Sequence, residues 1–335
     1  GVGIWLSGTQ PLMIKSVFVE KCREKIMKKS MLKVARAKHY LLISNNKVIS
    51  DNGDVMVSIP LHTNTAHEPF SVCSKTFKAL VKAKSTFEII DNNLLVDGIP
   101  CPRTKKQMIQ KGAFGDFSES QLIQFDFRSI AYAMANSNNR FSVLTGILFD
   151  IDGTLAASDI HRIAWGETEY KSEEPFILHS EAVKVLESFK GNTFEISTST
   201  YYMRILCDGV EIVGRKINGQ FPRYKPIIEE TDLPNYIEIG NLYDVVKSVL
   251  PILNQETLSI ILTTSLGGSL QVGVRKNKGD EFQFFETSGT MQIGFILLNA
   301  KYLLELIQHG GSIIEYKDEF VPVRSGAGFL GLLAI

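Results

Sequence analysis

Apolar positions along this chain recur with two periods. Helical spacing groups Phe77, Leu80 and Val81 on one face of a segment starting at Ser74. It groups Val183, Leu186 and Phe189 in a segment starting at Ser180, and Ala300, Leu303, Leu304 and Ile307 between Asn299 and His309. Three more helices are predicted over 19–29, 126–137 and 241–253, the last carried by Leu242, Val245, Val246, Val249 and Leu253. Between them lie short strand-like runs at Tyr40–Ile43, Val55–Ile59, Val143–Phe149, Arg204–Cys207, Ser259–Leu262 and Leu270–Val274.

The pattern repeats. The helix from Ser74 runs into Thr86-Phe87-Glu88-Ile89, a strand, and closes on Asp97-Gly98. The helix from Ser180 runs into Thr193-Phe194-Glu195-Ile196 and closes on Asp208-Gly209. A third copy is expected at 299–326, with Gly310-Gly311 stopping the helix, a strand over Ser312–Tyr316 and a turn at Ser325-Gly326. Repetition at this interval implies similar units of domain size. Two helices and several strands, three times over, make an α+β protein of three similar domains, each with two helices packed on antiparallel sheets. The expected divisions are 13–117, 118–231 and 232–335. Residues 1–12 read as an appended stretch or flexible arm, with Met13 as the expected start.

Composition narrows the class. The chain has 335 residues, 44% of them apolar and 21% charged, as in a soluble globular protein. Its formal net charge of +0 conceals an asymmetry: residues 13–110 hold 17 Lys+Arg against 8 Asp+Glu. The rest is therefore acidic by the same amount, and a local anionic partner fits the basic third. Cys22, Cys73, Cys101 and Cys207 form no Cys-x-x-Cys pair and have no His at zinc-ligand spacing, as expected of free thiols in a reducing cytoplasm. There is no apolar run of membrane length and no basic signal-peptide start. A cytoplasmic location, no membrane, no metal and no cofactor are expected.

Residues 144–165 carry two incompatible chemistries. Phe149-Asp150-Ile151-Asp152-Gly153-Thr154-Leu155 resembles the aspartate motif of haloacid-dehalogenase-like phosphatases. That resemblance implies Asp150 as nucleophile, Asp152 as acid/base, and magnesium on the carboxylates. Three features weigh against it. Asp152-Gly153 reads as the turn of a hairpin, with Leu148–Ile151 going up and Thr154–Ala157 coming down. Asp280-Glu281, the nearest downstream acidic doublet, follows Lys276-Asn277-Lys278-Gly279, which looks like a hairpin tip. The strand–helix alternation of a doubly wound sheet is missing.

The second half, Ala157-Ser158-Asp159-Ile160-His161-Arg162-Ile163-Ala164, resembles the Ala-Thr-Asp-x-His-Arg-Leu-Ala segment of bacterial DNA sliding clamps, the beta subunit of DNA polymerase III. Arg140-Phe141-Ser142-Val143-Leu144-Thr145-Gly146-Ile147-Leu148-Phe149 resembles that family's Arg-x-x-Leu-x-Gly-x-Leu-Phe strand. Ile217-Asn218-Gly219-Gln220-Phe221-Pro222-Arg223-Tyr224 resembles its Gly-Arg-Phe-Pro-Asp-Tyr turn. Met291-Gln292-Ile293-Gly294-Phe295, with Tyr302-Leu303-Leu304, resembles its third-domain strand and helix. The order of these pieces spans nearly the whole chain.

This resemblance implies a DNA-clamp fold and a processivity factor, not an enzyme. Two chains head to tail would close a ring around duplex DNA, tethering polymerase and clamp loader through short linear peptides. Contacts to DNA would be sequence-independent and phosphate-directed. Lys21, Lys25, Lys28 and Lys29, and then Lys75, Lys78 and Lys82, each form a cationic stripe opposite an apolar one, with Arg128 and Lys247 on equivalent opening helices. For any single lysine, an ordinary solvated face competes with this reading.

By motif match the peptide pocket would use Leu144, Ser158, Ile160, His161, Arg162, Ile163, Pro222 and Ile227, completed by Leu330, Leu332 and Ala334. His161 and Arg162 would shape the loop and the pocket rim, and Arg162→Ala together with removal of Leu332–Ile335 would abolish partner binding and leave folding intact. The ring interface would pair an edge at Ile99, Cys101 and Arg103 with Ile252 and Leu253. Pro100 and Pro102 impair that edge, so the homodimer should be weak. The chain departs from the family at its ending, Phe329 to Ile335, at Ile160, where a small residue is usual, and in a short first domain, as a phage or plasmid member would. A monomeric clamp-like peptide binder is the other reading.

Overall fold

The computed structural model describes residues 40–61, 68–80, 86–90, 93–104, 114–189, 193–225, 236–238, 240–253, 258–275, 281–291, 295–308, 311–315, 320–325 and 330–334. From 311 to 334 the description is of backbone only. The chain divides into two compact units. One takes residues 1–125 and 181–216, and the other takes 126–180 and 217–335.

In chain order, β1 (Tyr40–Ser44), β2 (Lys47–Asp51) and β3 (Val55–Pro60) come first. They are followed by β4 (Phe70–Cys73), α1 (Ser74–Leu80), β5 (Phe87–Ile90), β6 (Asn93–Val96) and β7 (Ile99–Cys101). Next are β8 (Gln121–Gln124), α2 (Arg128–Ala131), β9 (Ile147–Phe149), β10 (Thr154–Ser158) and β11 (Arg162–Glu167). Then β12 (Phe176–Leu178), α3 (Ser180–Leu186), β13 (Thr193–Thr198), β14 (Tyr202–Cys207) and β15 (Val210–Ile217). β16 (Tyr236–Glu238), α4 (Leu242–Val249), β17 (Ser259–Thr264), β18 (Ser269–Arg275) and β19 (Phe282–Met291) form another round. β20 (Phe295–Asn299), α5 (Ala300–Gln308), β21 (Gly311–Glu315), β22 (Phe320–Ser325) and β23 (Leu330–Ala334) form the last. A strand–helix–three-strand module thus occurs five times among the described residues, after the three strands β1–β3.

In the first unit, the strands β4-β1-β2-β3-β15-β14-β13-β8 form one antiparallel sheet. Tight turns connect it, each with two consecutive residues of positive φ: Asn45-Asn46 at 49° and 53°, and Asp208-Gly209 at 50° and 78°. Asp97-Gly98, at 52° and 75°, joins β6 to β7 in the small sheet β5-β6-β7. These are hairpin turns whose twist matches the strands, and Asn, Asp and Gly reach them with little strain. Where β3 meets β15, Met56 lies opposite Val213. There Leu42, Ile49, Met56 and Val213 form a core, with Phe114, Phe117 and Tyr202 against it.

The second unit forms its own antiparallel sheet system, in the order β12-β9-β10-β11-β23-β22-β21-β16-β19-β18-β17-β20. Leu242, Val246 and Val249 of α4, and Leu303 and Leu306 of α5, bury against Ile260, Leu262, Leu270, Val272 and Val274. Full burial of each such side chain contributes about 1.5–3 kcal/mol. A second core gathers Leu144, Leu148, Ala156, Ile163, Trp165, Ile177, Phe221 and Tyr224. Among the described residues no helix is long and apolar enough to cross a membrane.

Three expected elements are shorter than their pattern. The helix expected over 126–137 ends at Ala131. Met134 and Ala133 make only short-range turns, the Ala135 N–H goes to Leu144 O at 2.9 Å, and Tyr132 O accepts from Arg162 at 2.6 Å. The carbonyl that a further turn would use is therefore taken. The strand expected over Val143–Phe149 begins only at Ile147, because Ser142–Thr145 closes a 3-10 turn through Thr145 Oγ1 to Ser142 O. The helix over 241–253 stays α-helical to Val249 and tightens to a 3-10 turn over Leu250–Ile252, where Pro251 has no N–H to donate. The predicted helix over 19–29 lies outside the described residues.

Two turn glycines give contrasting tests. Gly98 (φ +75°) has open space where a Cβ would stand. Gly153 (φ +93°) would place a Cβ 2.3 Å from Thr168 O, a backbone atom. Gly98→Ala should cost about 1 kcal/mol and Gly153→Ala about 3 kcal/mol. Urea denaturation of both variants checks the ranking, and equal midpoints would refute it.

Candidate peptide site

The hairpin at Asp150–Gly153 is built as its sequence suggests. β9 and β10 pair antiparallel, with Leu155 opposite Phe149. Asp150 Oδ1 accepts from Ile151 N at 2.8 Å, and Asp152 Oδ1 accepts from Thr154 N at 3.0 Å. Tyr224 Oη donates to Asp150 Oδ2 at 2.7 Å. Lys225 Nζ bridges Asp150 Oδ2 and Asp152 Oδ2 at 3.0 and 2.8 Å. Burial alone would raise both carboxyls. The hydrogen bonds outweigh it: those from Tyr224, Lys225 and the Ile151 N–H lower Asp150, and those from Lys225 and Thr154 lower Asp152 to about 2. The phosphatase reading fails on this geometry. Its doubly wound parallel sheet is replaced by antiparallel pairing, and its proposed nucleophile is held by a tyrosine and a lysine.

The loop between β10 and β11 is organised around Arg162, whose side chain is buried to 7% exposure. Its Nε donates to Asp159 Oδ2 at 3.1 Å, its Nη2 to Tyr132 O at 2.6 Å, and its Nη1 to Glu305 Oε2 on α5. The guanidinium also lies over the rings of Tyr302 and Tyr132, 4.5 and 5.5 Å from their centroids. Asp159 Oδ1 accepts from the His161 and Arg162 N–H groups at 3.1 Å each. Ser158 Oγ donates to Arg162 O at 2.8 Å and accepts from Ile160 N at 3.1 Å. Burial raises Asp159, with Arg162 and the two N–H groups opposing it.

The structure brings together part of the predicted pocket. Ser158, Arg162 and Ile163 are buried on this loop and β11, and Leu144 shares a core with Ile163. Ile160 and His161 are exposed, and His161 stacks on Tyr302 at 6.0 Å and 25°. β23 runs antiparallel beside β11, setting Leu332 opposite Ile163 and Leu330 opposite Trp165 in the backbone register. Ala334 ends that strand, opposite Phe320 of β22. Pro222 is exposed beside buried Phe221, and Ile227 lies outside the described residues. Arg162 is therefore the structural centre of this loop. Its partners Tyr132, Asp159, Tyr302 and Glu305 were not anticipated. Asp159 sits in the quoted motif, but nothing in sequence marks Glu305, 143 residues away.

The other predicted residues fall on several elements, some in each unit. Lys75 is exposed on α1 opposite buried Phe77, and Lys247 is exposed on α4, 5.6 Å from the Tyr243 ring centroid. Arg128 is paired with Asp126 through Nε at 2.9 Å and Nη2 at 2.5 Å, so its charge is matched locally. Lys21, Lys25, Lys28, Lys29 and Lys82, and the Lys78 side chain, lie outside the described residues. At the predicted interface, Ile99 is 52% and Ile252 58% exposed, whereas Cys101 and Leu253 are buried within their own units. Arg103 lies 5.1 Å from the Phe70 ring centroid.

No protein-family model matches this chain, and no curated protein does. Solved structures do match. The DNA polymerase sliding clamp of Pseudomonas aeruginosa is similar with TM-score 0.71 at 16% identity, over 93% of this chain and 97% of that one. The DnaN sliding clamp (DNA polymerase III subunit beta) of Bartonella birtlesii, bound to griselimycin, gives 0.76 at 18%, over 92% and 96%. The DNA polymerase III beta subunit of Thermotoga maritima gives 0.74 at 15%, over 94% and 96%. The chain has the α+β fold of these sliding clamps.

Two outcomes follow for the site. Removing a partner from a buried ion pair strands the remaining charge, so Arg162→Ala should lower stability by about 3 kcal/mol, read from urea unfolding by the fluorescence of buried Trp165. An unchanged midpoint would refute the structural role. The lowered Asp152 carboxyl contributes stability above its ordinary value of 3.8 and loses it as pH falls through about 2. Lys225→Met should return Asp152 toward 3.8 in a carboxyl NMR titration. The stability change should stay under about 1 kcal/mol, because the pair is half exposed and screened.

Proposed function

We propose that this chain is a DNA sliding clamp, a non-enzymatic processivity factor that encircles duplex DNA as a head-to-tail homodimer. The observation that carries the reading is the likeness of fold over the whole chain, at TM-scores of 0.71–0.76 and more than 90% of both lengths. The three domains are taken as 13–117, 118–231 and 232–335, the first with β1–β3 and one module and the other two with two modules each. A cytoplasmic location goes with this function.

The pairing of modules supports ring closure. With β1–β3 counted as an incomplete first module, β3 and β11, last strands of alternate modules, pair with β15 and β23, last strands of the modules three further along. The same step from β19 runs past the end of the series and arrives at β7 of a second copy. Among the described residues, β7 pairs with β6, and β19 from Phe282 to Glu286 pairs with β18. Each therefore has an edge to offer. Phe282 and Phe284 are exposed beside that edge, as is Ile99 on β7. This seam keeps the expected edge at Ile99–Cys101 and takes β19 in place of Ile252 and Leu253. Pro100 removes one donor from it, so the ring should open on dilution.

DNA would be held by the basic first domain and by Lys75 and Lys247, through phosphates and without sequence preference. The loop 158–163 beside β23 would take short peptides of polymerase and clamp loader. Retention on DNA tests the mechanical linkage. The protein, loaded on closed circular plasmid, should co-elute with it and be released by a single linearising cut, while sedimentation equilibrium shows two chains at high concentration. Equal retention on linear and circular DNA, or one chain at every concentration, would refute the ring.

A further inference from the structure

Cys73 and Cys101 are 28 residues apart in sequence and meet where β4 ends. Segments 71–73 and 102–104 run antiparallel there. Val72 is bridged to Arg103, Thr104 N donates to Ser71 O at 2.9 Å, and Cys73 N donates to Pro102 O at 3.2 Å. A regular ladder would return a bond from residue 102 to the Cys73 carbonyl. Pro102 has no N–H to give. The Cys101 thiol points there instead, donating to Cys73 O at 3.9 Å. Residues opposed in such a ladder have Cα atoms about 5.5 Å apart, and Cys101 is one position along. A disulfide bridges Cα atoms about 4.4–6.8 Å apart. A continuing ladder would turn the two side chains to opposite faces. Here it stops at Cys73, where α1 begins, and the Cys101 sulfur already lies against that residue.

The two thiols differ in access and acidity. Cys73 is half-buried, and hydrogen bonds from Thr76, together with the Lys75 N–H and charge, hold it below the usual thiol value. Cys101 is buried, and burial pushes it up to about 11, with the charge of Cys73 adding to the rise. That influence of one sulfur on the other is a second sign of their closeness. An accessible, acidified thiol meets a soluble oxidant first, and a neighbouring thiol resolves the product. We propose that Cys73 and Cys101 are a peroxide-oxidisable pair, in which Cys73 is the site of first oxidation and Cys101 closes a disulfide onto it. The Cys73 thiolate attacks one oxygen of hydrogen peroxide. An S–O bond forms as O–O breaks, and the hydroxide released takes up a proton to leave as water. The Cys101 sulfur then attacks the Cys73 sulfenic sulfur. S–S forms as S–O breaks, and the departing hydroxide leaves with the Cys101 proton as water. The thiols together lose two electrons, and the peroxide is reduced to two waters. The product staples the start of α1 to β7. The inference needs neither the peptide site nor the ring.

The test treats the full, reduced chain with hydrogen peroxide, blocks remaining thiols with iodoacetamide and digests with trypsin without reductant. Mass spectrometry should find peptides 48–75 and 85–103 as one cross-linked species that dithiothreitol separates. Closing the loop between them should raise the thermal midpoint by about 5 °C, reversibly. In Cys101→Ser, dimedone should label Cys73 as its sulfenic acid. In Cys73→Ser, labelling of Cys101 should be at least about tenfold lower. Cross-links spread at random over Cys22, Cys73, Cys101 and Cys207 would overturn the pairing, as would a parent chain in which Cys73 stops at the sulfenic acid. Equal dimedone labelling in the two variants would overturn the order of oxidation. Mapping the parent chain decides the pairing even where a serine variant fails to fold.

Discussion

The guanidinium of Arg162 ties together three segments distant in sequence. Withdrawn from water, it must spend its donors on protein acceptors, and those acceptors are the carboxylates of Asp159 and Glu305 and the carbonyl of Tyr132. Each has a structural consequence. Asp159, held from below, uses its other oxygen to fix two loop N–H groups. Tyr132, its carbonyl occupied, cannot extend α2. Glu305 ties α5 to the start of β11. The loop that presents Ile160 and His161 is thereby hydrogen-bonded to a buried charge.

The general architecture was legible in the amino-acid pattern, and the reasons are local. Helical spacing located α1, α3, α4 and α5 close to their observed starts. Asp97-Gly98 and Asp208-Gly209 announced hairpins because few residue pairs accept two positive φ angles in succession. The aspartates of residues 150–152 were separable from a phosphatase because Gly153 marked a turn. The failures share a cause. The early end of α2 depends on Arg162, thirty residues further on, and the burial of Cys101 and Leu253 depends on partners that periodicity does not name. Likewise the place of Arg128 on an opening helix does not reveal its pairing with Asp126.

The sheets explain why the site lies where it does. β11 is the last strand of its module, and its free edge is taken by β23. The loop preceding β11 therefore lies beside a strand from the far end of the chain, and a surface assembled there draws on both. At β19 the corresponding edge is bordered by exposed Phe282 and Phe284.

The division of the chain into its two units also bears on how it can fold. Residues 126–180 belong to one unit, 181–216 to the other, and from 217 the chain returns to the first of these. No single cut in this stretch yields two fragments that each hold a complete sheet. The second unit closes only when β11 finds β23, across more than a hundred and fifty residues. Its assembly is dominated by distant encounters of the kind that slow folding and prolong exposure of unpaired edges. To obtain either unit alone, one would have to splice the backbone, joining Ser180 to Ile217 for the second.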